Sequence, residues 1–226
     1  ALFFVPDCSL VERKKRFDLE NFLSKRGKVA GLSGNLKDWQ DSDVICLPSG
    51  TSMANLYFKK DASWDERNFF EDVERKGVVG SLIERIEVDI VAGRSNEGGI
   101  IVQSSRGKAR IIEDADGRIT YLSKDDPFGY VRQGQVVDSF SELKNSWGSA
   151  YPDAIVQLLG LFRSKRAGDI VISAASGVSL LSASKDGAGK YTHGSLLSEH
   201  IMVPIISSVA LNGGPMRSAD IFSTVL

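Results

Sequence analysis

The chain has two histidines, and both fall within residues 191–204, YTHGSLLSEHIMVP. Imidazole is the side chain that most readily serves as a base or a metal ligand near neutral pH. His193 follows a glycine-rich polar loop and precedes Gly194, so its ring can approach a ligand without crowding from the next residue. His200 precedes an apolar run, which favours a structural role. The sequence therefore singles out His193 as the candidate functional histidine, and polar packing is its alternative role.

Ser195 lies two positions after His193 and raises the question of a serine–histidine pair. Side chains so close in sequence seldom align for proton transfer. The chain also contains no Gly-x-Ser-x-Gly nucleophile elbow. Acyl transfer by these two residues is therefore not expected.

Three segments carry a resemblance to a known family: GDIVISA at 168–174, THGS at 192–195 and EHIMVP at 199–204. Together they are similar to the C-terminal part of type I phosphodiesterases and nucleotide pyrophosphatases, which belong to the alkaline phosphatase superfamily. The closing segment 217–226, RSADIFSTVL, also resembles the last helix of that family. In the family, the histidine of the Thr-His-Gly segment binds one of two active-site metals, usually zinc. The resemblance therefore implies that His193 is a metal ligand.

The N-terminal segment 2–9, LFFVPDCS, lies in the frame of a family strand that ends in Ser-Asp-His-Gly. The resemblance makes Asp7 the carboxylate ligand, and it places Cys8 where the family has a second histidine ligand. A thiolate binds zinc at about 2.3 Å, but its sulfur lies closer to the backbone than an imidazole nitrogen does. The alternative role of Cys8 is that of a small buried apolar residue. Under the family frame, Asp7 and His193 converge at one edge of the sheet.

The family nucleophile is a Thr or Ser at a helix N-terminus, upstream of the Asp-His-Gly segment, and no residue of this chain matches it. Thr51 follows a Pro-Ser-Gly turn, but it leads into a predicted strand and so lacks the helix amides that would stabilise phosphate oxygens. We therefore assign no catalytic residue, and the expectation is that the half bearing the nucleophile is missing.

Apolar patterns and turn residues predict the elements that position these residues. The run 170–174 is apolar and short, which is typical of a strand in a sheet covered on both faces. Pro152 suits the start of a helix, and a wide apolar stripe follows it. Further predictions are a buried strand at 2–5, a helix capped by Asp18, strands at 44–47 and 54–58 joined by a turn, a helix opened by a capping box at 63–66, a strand at 83–91, and a hairpin through 114–117.

Composition limits the classes of function. The chain has 226 residues and a formal net charge of -1, so nothing in its charge predicts binding to nucleic acid or to an anionic membrane. No apolar run approaches the roughly 20 residues that a membrane-spanning helix needs. Two cysteines make a poor disulfide framework and fit a reducing compartment, so the expected location is cytoplasmic.

The predicted fold is α/β and alkaline-phosphatase-like. Residues 1–226 are expected to form the C-terminal portion of such a domain, with a mostly parallel central sheet and a strand-rich insertion at about 40–150. The predicted function is metal-dependent hydrolysis of phosphate mono- or diesters by the parent architecture, with His193 and Asp7 supplying part of a site for zinc or for two divalent metals. The alternative is a non-catalytic degenerate homologue or fragment that acts as a structural or binding domain. Whether the chain is an enzyme by itself stays open. The expected partners are a small phosphate ester and either the missing half or a second copy of the chain.

Overall fold

The computed structural model of the protein describes residues 2–130, 134–182, 189–211 and 213–221. Its strands are β1 (Phe3–Phe4), β2 (Val11–Glu12), β3 (Lys15–Arg16), β4 (Val29–Ala30), β5 (Val44–Pro48), β6 (Met53–Phe58), β7 (Val88–Arg94), β8 (Ile100–Ser104), β9 (Gly107–Glu113), β10 (Ile119–Asp125), β11 (Val136–Val137), β12 (Ile170–Ala174), β13 (Val178–Ser179), β14 (Tyr191–Thr192) and β15 (Ile206–Ser207). Its helices are α1 (Leu19–Ser24), α2 (Leu36–Gln40), α3 (Phe70–Arg75), α4 (Val78–Ile83), α5 (Ser139–Ser146), α6 (Ala154–Arg163) and α7 (Ser198–Ile201). Most of the glycine-rich loop before His193, and the closing residues 222–226, lie outside the described residues.

One sheet of nine strands organises the fold, in the order β11-β10-β9-β8-β7-β12-β6-β5-β4. Helices accompany it, so the α/β class is confirmed in this coarse sense. The expectation of a mostly parallel sheet is wrong, because every neighbouring pair in it is antiparallel except β4 and β5. Apolar runs predict that a sheet is covered on both faces, but antiparallel strands can be covered in the same way. The strand-rich stretch at about 40–150 contributes β5 to β11 to this same sheet.

The apolar run of β12 forms a central strand, as the sequence predicts. All five of its residues are buried, and it pairs with β6 on one side and β7 on the other. Ile170 and Ile172 face one layer of the core, and Val171 faces the other. Residues that alternate between two buried faces leave no polar side in the strand, which explains the continuous run.

Helices pack against both faces of the sheet. On one face, α3 and α4 pack on β7, and α1 packs on β4 and β5, with Leu23, Phe70 and Leu82 in the core. On the other face, α6 packs on β7, β8 and β9 through Ile155 and Leu158. The predicted apolar stripe after Pro152 is thus confirmed as the buried face of α6. No helix among the described residues has the length and apolar character needed to cross a membrane.

Turn chemistry predicts several local features correctly. The Asp18 carboxylate accepts a hydrogen bond from the Asn21 amide and caps α1. β5 and β6 are antiparallel neighbours around the turn at 48–50. β9 and β10 form the predicted hairpin, in which Gly117 has a positive φ of 75°.

Two expectations about strands are wrong. The segment at 2–5 was expected to be buried, but Phe4 is 62% exposed, because β1 pairs only with the two-residue β15 in the described chain. The strand expected at 83–91 begins only at Val88. Ile86 is 81% exposed, while Glu87 is buried and forms ion pairs with Lys15 and Arg85. In a regular strand at 83–91, Ile86 would be buried and Glu87 exposed. The ion pairs with Lys15 and Arg85 stabilise the opposite arrangement.

The helix start expected at 63–66 is also wrong. The Ser63 hydroxyl contacts Asp65 within a turn, and α3 begins at Phe70 instead. The Asp72 carboxylate accepts the Phe69 amide at that start. The cap residue of α3 is Phe69, whose side chain makes no capping hydrogen bond, so the sequence pattern of a capping box does not mark this start.

Three short strand pairs hold the N-terminal segment against the C-terminal part of the chain. β1 pairs with β15, β3 pairs in parallel with β13, and β2 pairs with β14. They lie outside the nine-stranded sheet. Their effect is to bring residues 2–16 alongside residues 178–179, 191–192 and 206–207, which positions the candidate site.

Candidate functional site

His193 directly follows Thr192, the last residue of β14, and the chain bends between residues 192 and 195. Within the β2–β14 pair, Thr192 lies opposite Val11. The Ser9 amide also donates to the His200 carbonyl. The segment that carries Asp7 therefore runs alongside the segment that carries His193, outside the nine-stranded sheet.

The imidazole of His200 bridges the two ends of this turn. Its Nδ1 lies 2.6 Å from Ser195 Oγ and accepts the Ser195 amide at 3.2 Å. Its Nε2 lies 3.3 Å from Thr192 Oγ1. His193 lies between the two bridged residues, so the His200 ring fixes the turn that presents His193. The predicted structural role of His200 agrees with this geometry.

Ser195 pairs with His200 rather than with His193. Both residues are buried. The Ser195 hydroxyl also accepts the Leu197 amide at 3.3 Å, so its oxygen is held in the turn. This hydroxyl contacts both the His200 ring and the Leu197 amide, which is the geometry of a structural contact within the turn.

Burial lowers the pKa of His200. The Glu199 carboxylate opposes that effect, and His193 adds to it. The Ser195 amide can donate only to an unprotonated Nδ1, so the observed hydrogen bond requires the Nε2–H tautomer. The bridge that His200 forms between Thr192 and Ser195 therefore requires a neutral imidazole.

Acid should weaken the fold through His200. The pKa of His200 is lower in the folded protein than in the unfolded chain, so the neutral ring stabilises the fold at pH values above the unfolded pKa of about 6.5. This contribution is lost as the pH falls through the folded pKa. We therefore expect His200→Gln to be less stable than the parent protein at pH 7.5, with the difference narrowing as the pH falls below about 6.5. Urea unfolding of both proteins at several pH values measures this. A control at an exposed residue that does not titrate, Gln40→Ala, should leave the pH dependence unchanged. If the difference in unfolding free energy between His200→Gln and the parent did not change with pH, the stabilising role of the neutral His200 ring would be contradicted.

The backbone of His193 also contacts the turn between β5 and β6. The His193 amide donates to Thr51 Oγ1 at 3.0 Å, and its carbonyl accepts the amides of Thr51 and Ser52 at 3.2 and 2.9 Å. Gly50 has a φ of 72°, and a Cβ at this position would lie 2.9 Å from the His193 carbonyl and 3.2 Å from its Nε2. Glycine at position 50 therefore leaves room for the imidazole.

Thr51 is a neighbour of His193 that the sequence did not predict. It leads into β6, as expected, which removes it as a helix-borne nucleophile. Its hydroxyl instead orients the backbone of His193. Only the pairing of distant segments brings residues 51 and 193 together, so no local sequence pattern could have revealed this contact.

Asp7 is exposed and borders a cleft of about 420 Å³. Cys8, Gly194, Ser195 and His200 also line this cleft. Partial burial raises the pKa of the Cys8 thiol, and the neighbouring Asp7 carboxylate raises it further by repulsion and by accepting its hydrogen bond. Cys8 is therefore held as a thiol, and it is half-buried rather than fully buried.

An arginine–aspartate pair forms the opposite wall of the cleft. Arg217 Nε and Nη2 lie 2.7 and 2.6 Å from the two carboxylate oxygens of Asp153. The Gln157 amide also donates to Asp153. The Asp153 carboxylate is the main reason that the pKa of Arg217 is raised. These two charges neutralise each other and join the segment at 213–221 to α6.

The two predicted metal ligands lie on neighbouring segments of the chain but do not share the cleft. Asp7 lines it, whereas His193 is not among its lining residues and packs beside Gly50. In the described part of the chain, no group of three or more His, Cys, Asp or Glu side chains could hold a metal ion. Catalytic zinc commonly has three protein ligands. The residues present therefore do not fit a complete zinc site.

Comparison with known proteins found no family model, no curated protein and no solved structure that matches the chain. The resemblance to the alkaline phosphatase superfamily therefore stays a prediction based on the segments at 168–174, 192–195 and 199–204.

Proposed function

We propose that the chain contributes Asp7 and His193 to the metal site of a phosphoester hydrolase that another polypeptide segment completes. The observation that supports this most is the β2–β14 pairing, which lays the Asp7 and His193 segments side by side next to a cleft. The substrate class is a phosphate mono- or diester, and the metal is zinc or a pair of divalent ions. Cys8 and Cys46 form no disulfide, which fits the proposed cytoplasmic location.

The N-terminal segment that carries Asp7 also has an apolar surface suited to binding a completing polypeptide. In the two-stranded β1–β15 sheet, Phe4 lies opposite Ile206, and these side chains are 62% and 64% exposed. Leu2 and Val209 are exposed nearby. Two-stranded sheets are marginally stable in water by themselves, and adjacent exposed apolar side chains are typical of interaction surfaces. A strand added at this edge would cover them.

The second candidate is a non-catalytic structural or binding domain. The pairing of Cys8 with Asp7 favours it, because a protonated thiol stands where the family has a histidine ligand. The two candidates differ in what happens when a completing segment is supplied.

The test is a phosphodiesterase assay on the purified chain with bis-p-nitrophenyl phosphate, zinc and manganese. The chain alone should show no turnover, and any bound zinc should be lost readily to a chelator, because two ligands hold a metal weakly. Adding polypeptide encoded next to this chain should produce turnover. Asp7→Ala and His193→Ala should each abolish that turnover, while the control Asp116→Ala, in the β9–β10 hairpin, should keep it.

Each other outcome has a clear meaning. Turnover by the chain alone that disappears in His193→Ala would contradict the need for a completing segment. Turnover unaffected by Asp7→Ala and His193→Ala would refute their role as ligands. Absence of turnover with every neighbouring segment would favour the non-catalytic domain.

A further inference from the structure

A second cleft, of about 520 Å³, lies on the face of the sheet covered by α1, α3 and α4. Its apolar wall belongs to the core on that face and consists of Leu23, Val44, Phe58 and Val78. Its remaining lining residues are polar, charged or small: Arg26, Asp43, Lys59, Ala62 and Lys76. The volume lies within the range of about 300–1,000 Å³ that is typical of small-molecule sites. The candidate metal ligands lie elsewhere.

The charges around this cleft are unbalanced. Three cations, Arg26, Lys59 and Lys76, face one carboxylate, Asp43, which leaves a formal excess of two positive charges. The Asp43 carboxylate accepts the Lys28 amide at 2.8 Å, so part of its hydrogen-bonding capacity is already used. Within the described residues, none of the three cations forms an ion pair. Unpaired cations beside an apolar wall create a positive potential that attracts anions.

Two of the cations are held by neutral groups. Lys59 Nζ donates to the Gln40 carbonyl at 2.7 Å and lies 5.3 Å from the centre of the Trp64 ring. Lys76 Nζ donates to Asn68 Oδ1 at 3.3 Å. An ammonium group has three donors, so each lysine retains donors for a ligand. Neutral partners position these charges without cancelling them.

A buried donor without a hydrogen-bond partner in the described chain lies beside Lys59. Trp64 Nε1 is buried and has no hydrogen-bond partner among the described residues. Buried polar groups without partners are rare and call for an explanation, such as a ligand or an ordered water. The Trp64 ring lies 5.3 Å from Lys59 Nζ, so this donor is next to a lining residue although Trp64 itself does not line the cleft.

We propose that this cleft binds a small organic anion that combines an apolar body with a phosphate or carboxylate group. The apolar body contacts the wall formed by Leu23, Phe58 and Val78, and the anionic group lies among Arg26, Lys59 and Lys76. Both parts are needed, because the wall alone does not select charge and exposed cations alone bind weakly in water. The inference is independent of the metal-site proposal, since it uses none of the same residues.

Isothermal titration calorimetry with four probes tests this pairing of features. Octyl phosphate and octanoate carry both parts, octanol has only the apolar body, and inorganic phosphate has only the charge. We expect one of the first two to bind most tightly, and octanol and inorganic phosphate each to bind at least about tenfold more weakly. Octanol loses a charge-assisted contact, and inorganic phosphate loses the burial of the alkyl chain, whose contribution grows with each CH2 group. The stronger of octyl phosphate and octanoate identifies the anionic group. Equal binding of octanol would overturn the proposal, as would absence of binding by both amphiphilic anions.

Variants then locate the site. Arg26→Gln/Lys76→Gln should weaken the better probe by about tenfold or more. The control Lys37→Gln/Lys165→Gln makes the same charge change on exposed residues outside the cleft and should alter affinity by less than about twofold. All four side chains are exposed, so both variants should fold, and their melting temperatures check this. Equal weakening in both variants, or none in the first, would contradict binding in this cleft.

Discussion

Replacing Arg217 with alanine is expected to lower the free energy of unfolding by about 3–5 kcal/mol. Asp153 is buried, and Arg217 binds both of its carboxylate oxygens. Removing the guanidinium leaves a buried carboxylate without its cation, and that penalty exceeds the loss of an ordinary surface contact. Chemical denaturation of the two proteins measures the difference.

The matched control is Arg163→Ala, which breaks the ion pair between exposed Arg163 and Glu113. Exposed pairs contribute about 0–1 kcal/mol, so this variant should stay close to the parent. Adding Asp153→Asn to Arg217→Ala should recover part of the lost stability, because it removes the uncompensated charge. Asparagine also tolerates the left-handed backbone of residue 153, where φ is 58°. A loss below about 1 kcal/mol in Arg217→Ala would mean that water reaches Asp153.

The substitution Ile172→Ala should cost about 2–5 kcal/mol. Ile172 is fully buried in β12, between β6 and β7, and the smaller side chain would leave a cavity that the surrounding strands cannot fill. The control is Val136→Ala in the edge strand β11, where the side chain is mostly exposed and the expected change is within about 0.5 kcal/mol. Thermal melts of the two variants decide it. Similar melting temperatures would show that β12 is peripheral.

The sequence predicts those parts of the fold that depend on local chemistry. Asp18 caps α1 because its carboxylate reaches an amide three residues away. Gly117 permits the backbone of the β9–β10 hairpin, and the apolar run at 170–174 identifies a strand buried on both faces. Each of these features is encoded within a few residues.

Pairing direction is different, because it depends on which distant strands meet. The run at 170–174 would look the same between parallel neighbours, so the expectation of a mostly parallel sheet had no support from local pattern. Glu87 gives a similar case: its burial depends on Lys15, which lies far away in the sequence. A regular alternation wrongly assigns Glu87 to solvent and Ile86 to the core.

For the candidate site, the sequence identifies His193 and Asp7 as residues of interest but not their surroundings. The contacts from Thr51 and Gly50 come from the far end of a different strand pair. The bridge by His200 combines a short sequence separation with a precise ring orientation, which residue spacing alone does not give. The sequence therefore predicts which residue types form the candidate site but not how they are arranged in space.

The place of β12 in the sheet has a consequence for biosynthesis. It is the last of the nine strands to leave the ribosome, yet it lies between β7 and β6. A nascent chain that ends before residue 170 can form only two separate sets of strands, β4 to β6 and β7 to β11. Each set then has an unpaired inner edge, and such edges promote aggregation. Translation of residues 170–174 is thus the step that joins the two sets, and chaperone binding would protect the chain until then.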